Sequence, residues 1–115
     1  MAALMSKTKN QILVPQLEIA KSFAARSKGL LGRSSLAPND GLWIHQCNSI
    51  HTFFMQFPID CVFVDKSLKV KALRPNVAPW RLVLPIWGAS SVIEIAAGEI
   101  SRLNISVGDQ LHVGT

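Results

Sequence analysis

The chain has 115 residues, 49% of them apolar and 17% charged, with a net charge of +5 at pH 7. That length and balance fit one globular domain with a substantial core and exclude intrinsic disorder. Two cysteines without a CxxC pair exclude a disulfide scaffold, and the longest uncharged run, from Gly41 to Ile59, is too polar and broken to span a membrane.

In chain order, residues 1–9 read as a frayed tail ahead of a β-rich core over 10–113. The opening, MAALMSKTKN, lacks a signal-peptide core. With the cysteine usage, this leads to the expectation of a soluble, cytoplasmic protein. Gln11–Ile19 reads as a strand in which Pro15, unable to donate to a ladder, marks an edge or a bulge. Ser22 is an N-cap candidate for a short helix over Phe23–Leu31. Phe23, Ala24, Leu30 and Leu31 are expected to face the sheet, and Gly29 and Gly32 to end the helix. The turn Ala37-Pro38-Asn39-Asp40-Gly41 launches a short strand, Leu42–Ile44.

From His51 to Phe63 the odd positions read His, Phe, Met, Phe, Ile, Cys, Phe, a period-two pattern that places the odd face in the core. Pro58 splits the run into strands at about 49–55 and 59–65. Asp65-Lys66-Ser67 turns the chain into a half-exposed strand, Leu68–Leu73. Arg74–Pro85, with three prolines around Trp80, reads as an irregular connection of the kind that carries function or forms a flap. Ser91–Ala96 is a strand, Glu99–Leu103 one helical turn, and Gln110–Val113 the last strand. The fold class is mainly β (α+β): a small antiparallel β-sandwich or barrel with one short helix packed on it, in a single domain.

The charge is asymmetric. Residues 1–33 hold six basic side chains against Glu18 alone, and a second basic cluster runs from Lys66 to Arg81 beside Asp65. Such patches attract phosphates, nucleic acid or anionic surfaces. No aromatics interleave with these lysines, which argues against nucleic acid, and solvated helix ends and hairpin tips account for them.

Four stretches together resemble the domain-of-unknown-function 192 family: RSKGLLGRSSL, SIHTFFMQFPIDCVFVD, VIEIAAG and VGDQLHV. The resemblance runs from about Leu17 to Val113, and the block with His51, Met55 and Asp60 is its most specific part. Arg26, Gly29, Leu30 and Arg33 match the family's first block, and Leu31 stands where a methionine is usual. The resemblance implies a small β-sandwich or barrel with one helix packed on it, and no assigned activity. Some relatives carry export signals; none is read here.

His51, with an unperturbed pKa near neutrality, suits a general base, although a neutral imidazole tying two strands together is the preferred reading. Asp60, among Pro58, Ile59, Cys61 and Val62, is costly to bury without donors. Backbone N–H groups of a neighbouring loop, or Arg33, are expected to anchor it. Glu94, inside VIEIA, poses the same question, and an Arg33–carboxylate pair joining helix to sheet would explain one of the acids. His45, Cys47 and His51 lack the paired spacings of a zinc site, so neither metal nor cofactor is expected. Trp43, Trp80 and Trp87, with Phe53, Phe54 and Met55, are the candidate lining of an apolar pocket, with end-capping of the barrel as the alternative.

The leading expectation is a non-enzymatic domain that binds a small apolar ligand or a protein segment between the central strands and the Arg74–Pro85 loop. An acid–base enzyme using His51 with Asp60 or Glu94 is the alternative, and weak nucleic-acid or anionic-surface binding the third. Oligomeric state is not legible.

Overall fold

The computed structural model describes residues 2–114. Its framework is a curled seven-stranded sheet, a half-barrel, built from β1 (Ala2–Ser6), β2 (Gln11–Ala20), β3 (Asp40–Ile44), β5 (Ile59–Val64), β6 (Val70–Val77), β8 (Ser91–Ala96) and β9 (Leu111–Gly114). The strand order is β6-β5-β8-β3-β2-β1-β9. A second, two-stranded sheet pairs β4 (Ile50–His51) with β7 (Leu82–Val83). Two short helices, α1 (Phe23–Lys28) and α2 (Glu99–Arg102), complete the described elements.

β5 and β8 form the centre because neither offers a solvent face: every residue of both is buried. Their alternation sorts side chains between two cores. Val62, Val64, Ile93 and Ile95 point to one, with Leu4, Val14, Leu17 and Leu111. Ile59, Cys61, Phe63 and Val92 point to the other, with Leu42, Ile44, Ile50 and Met55. The outer strands β6 and β9 meet at one end of the curl through a Lys69–Gln110 bridge. There the Val70 N–H donates to the Asp109 carbonyl and the Leu111 N–H to the Leu68 carbonyl, both at 2.9 Å.

Several expectations need correction. Residues 2–6 of the supposed tail are β1, whose alternating burial and pairing with both β2 and β9 make it an inner strand; Met1 lies outside the described residues. The sheet is not wholly antiparallel, since β2 runs parallel to β3, a pairing allowed by the long α1-containing connection between them. Pro15 marks a bulge: Leu4 pairs with Val14 but Ala2 with Leu17, so the β2 strand carries an extra residue there. α1 has the expected cap, Ser22 Oγ accepting from the Ala25 N–H at 3.1 Å. It buries none of its residues, and Phe23 and Ala24 face solvent; the leucines beyond it, Leu30 above all, reach the core instead. Arg74–Val77 belong to β6 rather than to an irregular loop.

Candidate functional site

The second core is roofed by chain that leaves the sheet. Leu30 comes from the α1–β3 connection, and Ile50 and Met55 from the excursion between β3 and β5. Beneath them, strand register sets Leu42, Glu94 and Cys61 side by side across β3, β8 and β5. Roof and sheet do not meet everywhere. A cleft of about 200 Å³ remains, walled by Arg26, Lys28, Gly29 and Leu30 on one side and Cys47, Ser49, Ile50, His51 and Met55 on the other. Ile44 and Glu94 of the sheet line its base.

Two polar groups of this cleft stand without partners. The buried Glu94 carboxyl receives no hydrogen bond from the described residues, and burial pushes it up to about 7, against the smaller pull of the Arg33 charge. Arg26 Nε is likewise buried and unpartnered. The Cys47 thiol donates to the Ser49 carbonyl at 2.8 Å. Burial raises its pKa, and burial raises that of Cys61 further, with the Glu94 charge adding to both. Both cysteines are free, and a thiol held protonated is a poor nucleophile.

Of the residues singled out in the sequence, His51, Met55 and Glu94 meet at the cleft, with Cys47 beside them. The others are elsewhere. Asp60 is fully buried and accepts from Asn76 N at 2.8 Å, Gly98 N at 3.1 Å and Ile100 N at 2.9 Å, the backbone anchoring expected of it. Arg33 joins the α1 connection to the sheet as expected, but its acid is Glu18 on β2, at 2.7 Å, not Asp60 or Glu94. Trp43 packs against the first core and donates through Nε1 to Ser91 Oγ at 2.9 Å.

The odd-face assignment fails before Met55, where the chain leaves the strand geometry that alternation presumes. His51 is exposed and stacks on Phe53 with ring centroids 5.0 Å apart, while Thr52 between them is buried. Trp80 stands outside the cleft, beside Phe53 and Phe54. Among the described residues no group of three or more His, Cys, Asp or Glu is placed to hold a metal.

Thr52 ties the aromatic segment down. Its hydroxyl donates to the Ala78 carbonyl at 2.6 Å and accepts from the Arg81 N–H at 2.9 Å. Replacing Thr52 by Val should cost about 1–2 kcal/mol and release the Arg81 amide to faster hydrogen exchange. Unchanged Arg81 protection would show that the hydroxyl holds nothing.

Sequence reasoning noted Arg26 and Leu30 as matches to the family's first block, without placing them at a site, and missed Ile44, Ser49 and Ile50. One available signal was the charge-free run from Gly41 to Ile59, which supplies Ile44, Cys47, Ser49, Ile50, His51 and Met55 to the cleft. The far wall, residues 26–31, becomes a neighbour through the fold alone.

Fold and site define a mainly β half-barrel domain with a cleft between its sheet and the segments that roof it. The chain belongs to the DUF192 family, described as Uncharacterized ACR, whose model matches residues 4–113. It is 35% identical over 116 residues to a UPF0127 protein of Thermococcus sibiricus, covering 94% of this chain and 72% of that one. It is 30% identical over 111 residues to the UPF0127 protein PH1112 of Pyrococcus horikoshii, covering 94% and 96%. A crystal structure of a protein of unknown function from Novosphingobium aromaticivorans superposes with a TM-score of 0.82 at 24% identity, over 96% of this chain and 82% of that one. That likeness establishes the fold, and the descriptions of these proteins indicate no specific function.

Proposed function

We propose that the domain is a non-enzymatic binding module whose cleft takes a small, largely apolar molecule with one polar head. The observation that carries this reading is the pair of unpartnered groups at the cleft, the Glu94 carboxyl and Arg26 Nε. A buried donor without a partner, such as Arg26 Nε, costs stability, and the Glu94 carboxyl is desolvated at the cleft base. A head offering a donor to Glu94 and an acceptor to Arg26 serves both. Leu30, Ile44, Ile50 and Met55 would enclose the apolar body. The acid–base alternative is less supported. Among the described residues no carboxylate pairs with His51, Asp60 is committed to backbone N–H groups, and the Cys47 thiol is held protonated.

Benzamide, an apolar ring with a donor–acceptor head, is a suitable probe, and ethylbenzene its headless control. Benzamide should give saturable amide shifts centred on Leu30, Ile44, Ile50 and Glu94, and ethylbenzene weaker ones at the same places. Ser49→Trp, which fills the cleft from its rim, should abolish both. The proposal fails if the shifts do not saturate, or if they survive in Ser49→Trp.

A further inference from the structure

Within residues 78–87, Trp80, Leu82, Leu84 and Trp87 turn outward while Ile86 packs against the second core. Leu82 and Leu84 stand two apart on an extended stretch, hence on one side of it, and are 61% and 69% exposed. Val83, between them, packs against the second core. The inward position is apolar as in any half-buried strand, but the outward positions are leucines where polar residues are the rule. Trp80, 56% exposed, opens the segment with its ring centroid 4.6 Å from that of Phe54, which is 73% exposed. Phe54 and Trp80 both sit at positive φ, 66° and 65°, a strained region for bulky side chains. The backbone is bent at two aromatic tips, and Thr52 clamps the bend in place.

The charges on this ridge indicate what covers it. No Asp or Glu occurs from Lys66 to Ile93 or from Gly41 to Ile59. Arg81 lies between Trp80 and Leu82 in sequence, and Arg74 shares a surface hollow with Leu82 and Leu84. Neither arginine is ion-paired among the described residues; each donates to the carbonyl of the residue before it. Aromatic tips and leucines flanked by unpaired arginines suit the boundary between lipid headgroups and acyl chains. A nucleic-acid strand would stack on the aromatics but leave Leu82 and Leu84 in water.

We infer that this ridge docks on a bilayer surface containing anionic lipids, with Phe54, Trp80, Leu82 and Leu84 entering the headgroup region and Arg74 and Arg81 pairing with lipid phosphates. The inference is independent of what the cleft binds.

The test is co-sedimentation of the full chain with phosphatidylcholine vesicles, with and without phosphatidylglycerol, with tryptophan emission read on the same samples. The protein should partition onto the phosphatidylglycerol vesicles, its emission should shift to the blue, and added salt should weaken binding. Trp80→Ser combined with Leu84→Ser should weaken partitioning at least about tenfold. Arg74→Gln with Arg81→Gln should weaken it and reduce the salt dependence. Circular dichroism verifies the fold of each variant, and Leu82→Ser with Leu84→Ser replaces the first pair if Trp80→Ser unfolds. Three results overturn the inference: no partitioning onto phosphatidylglycerol vesicles, partitioning unchanged by loss of the apolar side chains, or partitioning without salt dependence. It is also overturned if light scattering shows a dimer that those substitutions dissolve, or if oligo(dT) binding is what they abolish.

Discussion

Replacing Asp60 by Asn is expected to lower the stability of the domain by about 3 kcal/mol or more, seen as a fall in the urea midpoint with little change in slope. The carboxylate is an acceptor on both oxygens: Oδ1 takes the Asn76 N–H, and Oδ2 takes those of Gly98 and Ile100. An amide offers one acceptor and one donor. Whichever way it turns, its NH2 faces at least one backbone N–H, and the bonds that remain lose their charge assistance. Each stranded donor costs about 1–3 kcal/mol. No water can step in cheaply, because Asp60 is fully buried. These bonds gather β6 and the turn into α2 onto β5, so the loss should be global rather than local. Asp60→Ala should cost more, since three donors are stranded. A loss below about 1 kcal/mol for Asp60→Asn would mean that these backbone groups find other partners and that the carboxylate is not the anchor the geometry makes it.

The part of the fold near β5 was legible because its signals are local. Ser91–Ala96 is a short apolar run bounded by turn residues, and it is β8 to the residue. Asp65-Lys66-Ser67 is a turn whose Asp65 side chain accepts from the Ser67 and Lys69 N–H groups, both at 2.9 Å. β1 was illegible for the opposite reason. AALMS is too short and weakly patterned to identify itself, and one of its two partners, β9, lies at the other end of the chain. The parallel β2–β3 pair is likewise fixed by long-range closure and not by either strand's own sequence.

For the site, composition was informative and alternation was not. The charge-free run from Gly41 pointed to the right segment. Reading residues 49–55 as a regular strand sent His51 inward and Thr52 outward, the reverse of what is found. Between β4 and β5 the chain roofs the sheet as irregular backbone, where each side chain's direction follows from turns such as the one at Phe54. Asp60 was legible as an anchor because burying a lone acid demands donors, although nothing in sequence could say that two of them lie at residues 98 and 100. Glu94 was noticed on the same grounds but met no donors, and that difference makes it the residue with chemical potential in the cleft.

Glu94→Gln should therefore remove a pH dependence that the native domain shows. The carboxyl is pushed from 4.5 up to about 7 by burial, opposed by the charge of Arg33. Between those values the folded state holds a proton that the unfolded chain has released. Unfolding then releases that proton, so the native stability contributed by this group falls as pH rises from about 4.5 to about 7 and is flat beyond. The full span amounts to about 3 kcal/mol. The glutamine variant, neutral throughout, should match the wild type near pH 4.5 and exceed it by up to that amount near pH 8. His45 has the opposite sign. Burial, then Lys21 and Arg26, lower its pKa, so its contribution is lost as pH falls through 6.5, but it is present in both proteins and cancels in their difference. Asp65, held low by the Lys69 backbone N–H, titrates below the window, and the two raised thiols above it. A difference between the two proteins that stays flat from pH 4.5 to 8 would show that water or a donor already solvates the carboxylate. Where the slope is found, benzamide donating to the ionised carboxylate should flatten it in the wild type and leave the glutamine variant's profile unchanged in shape.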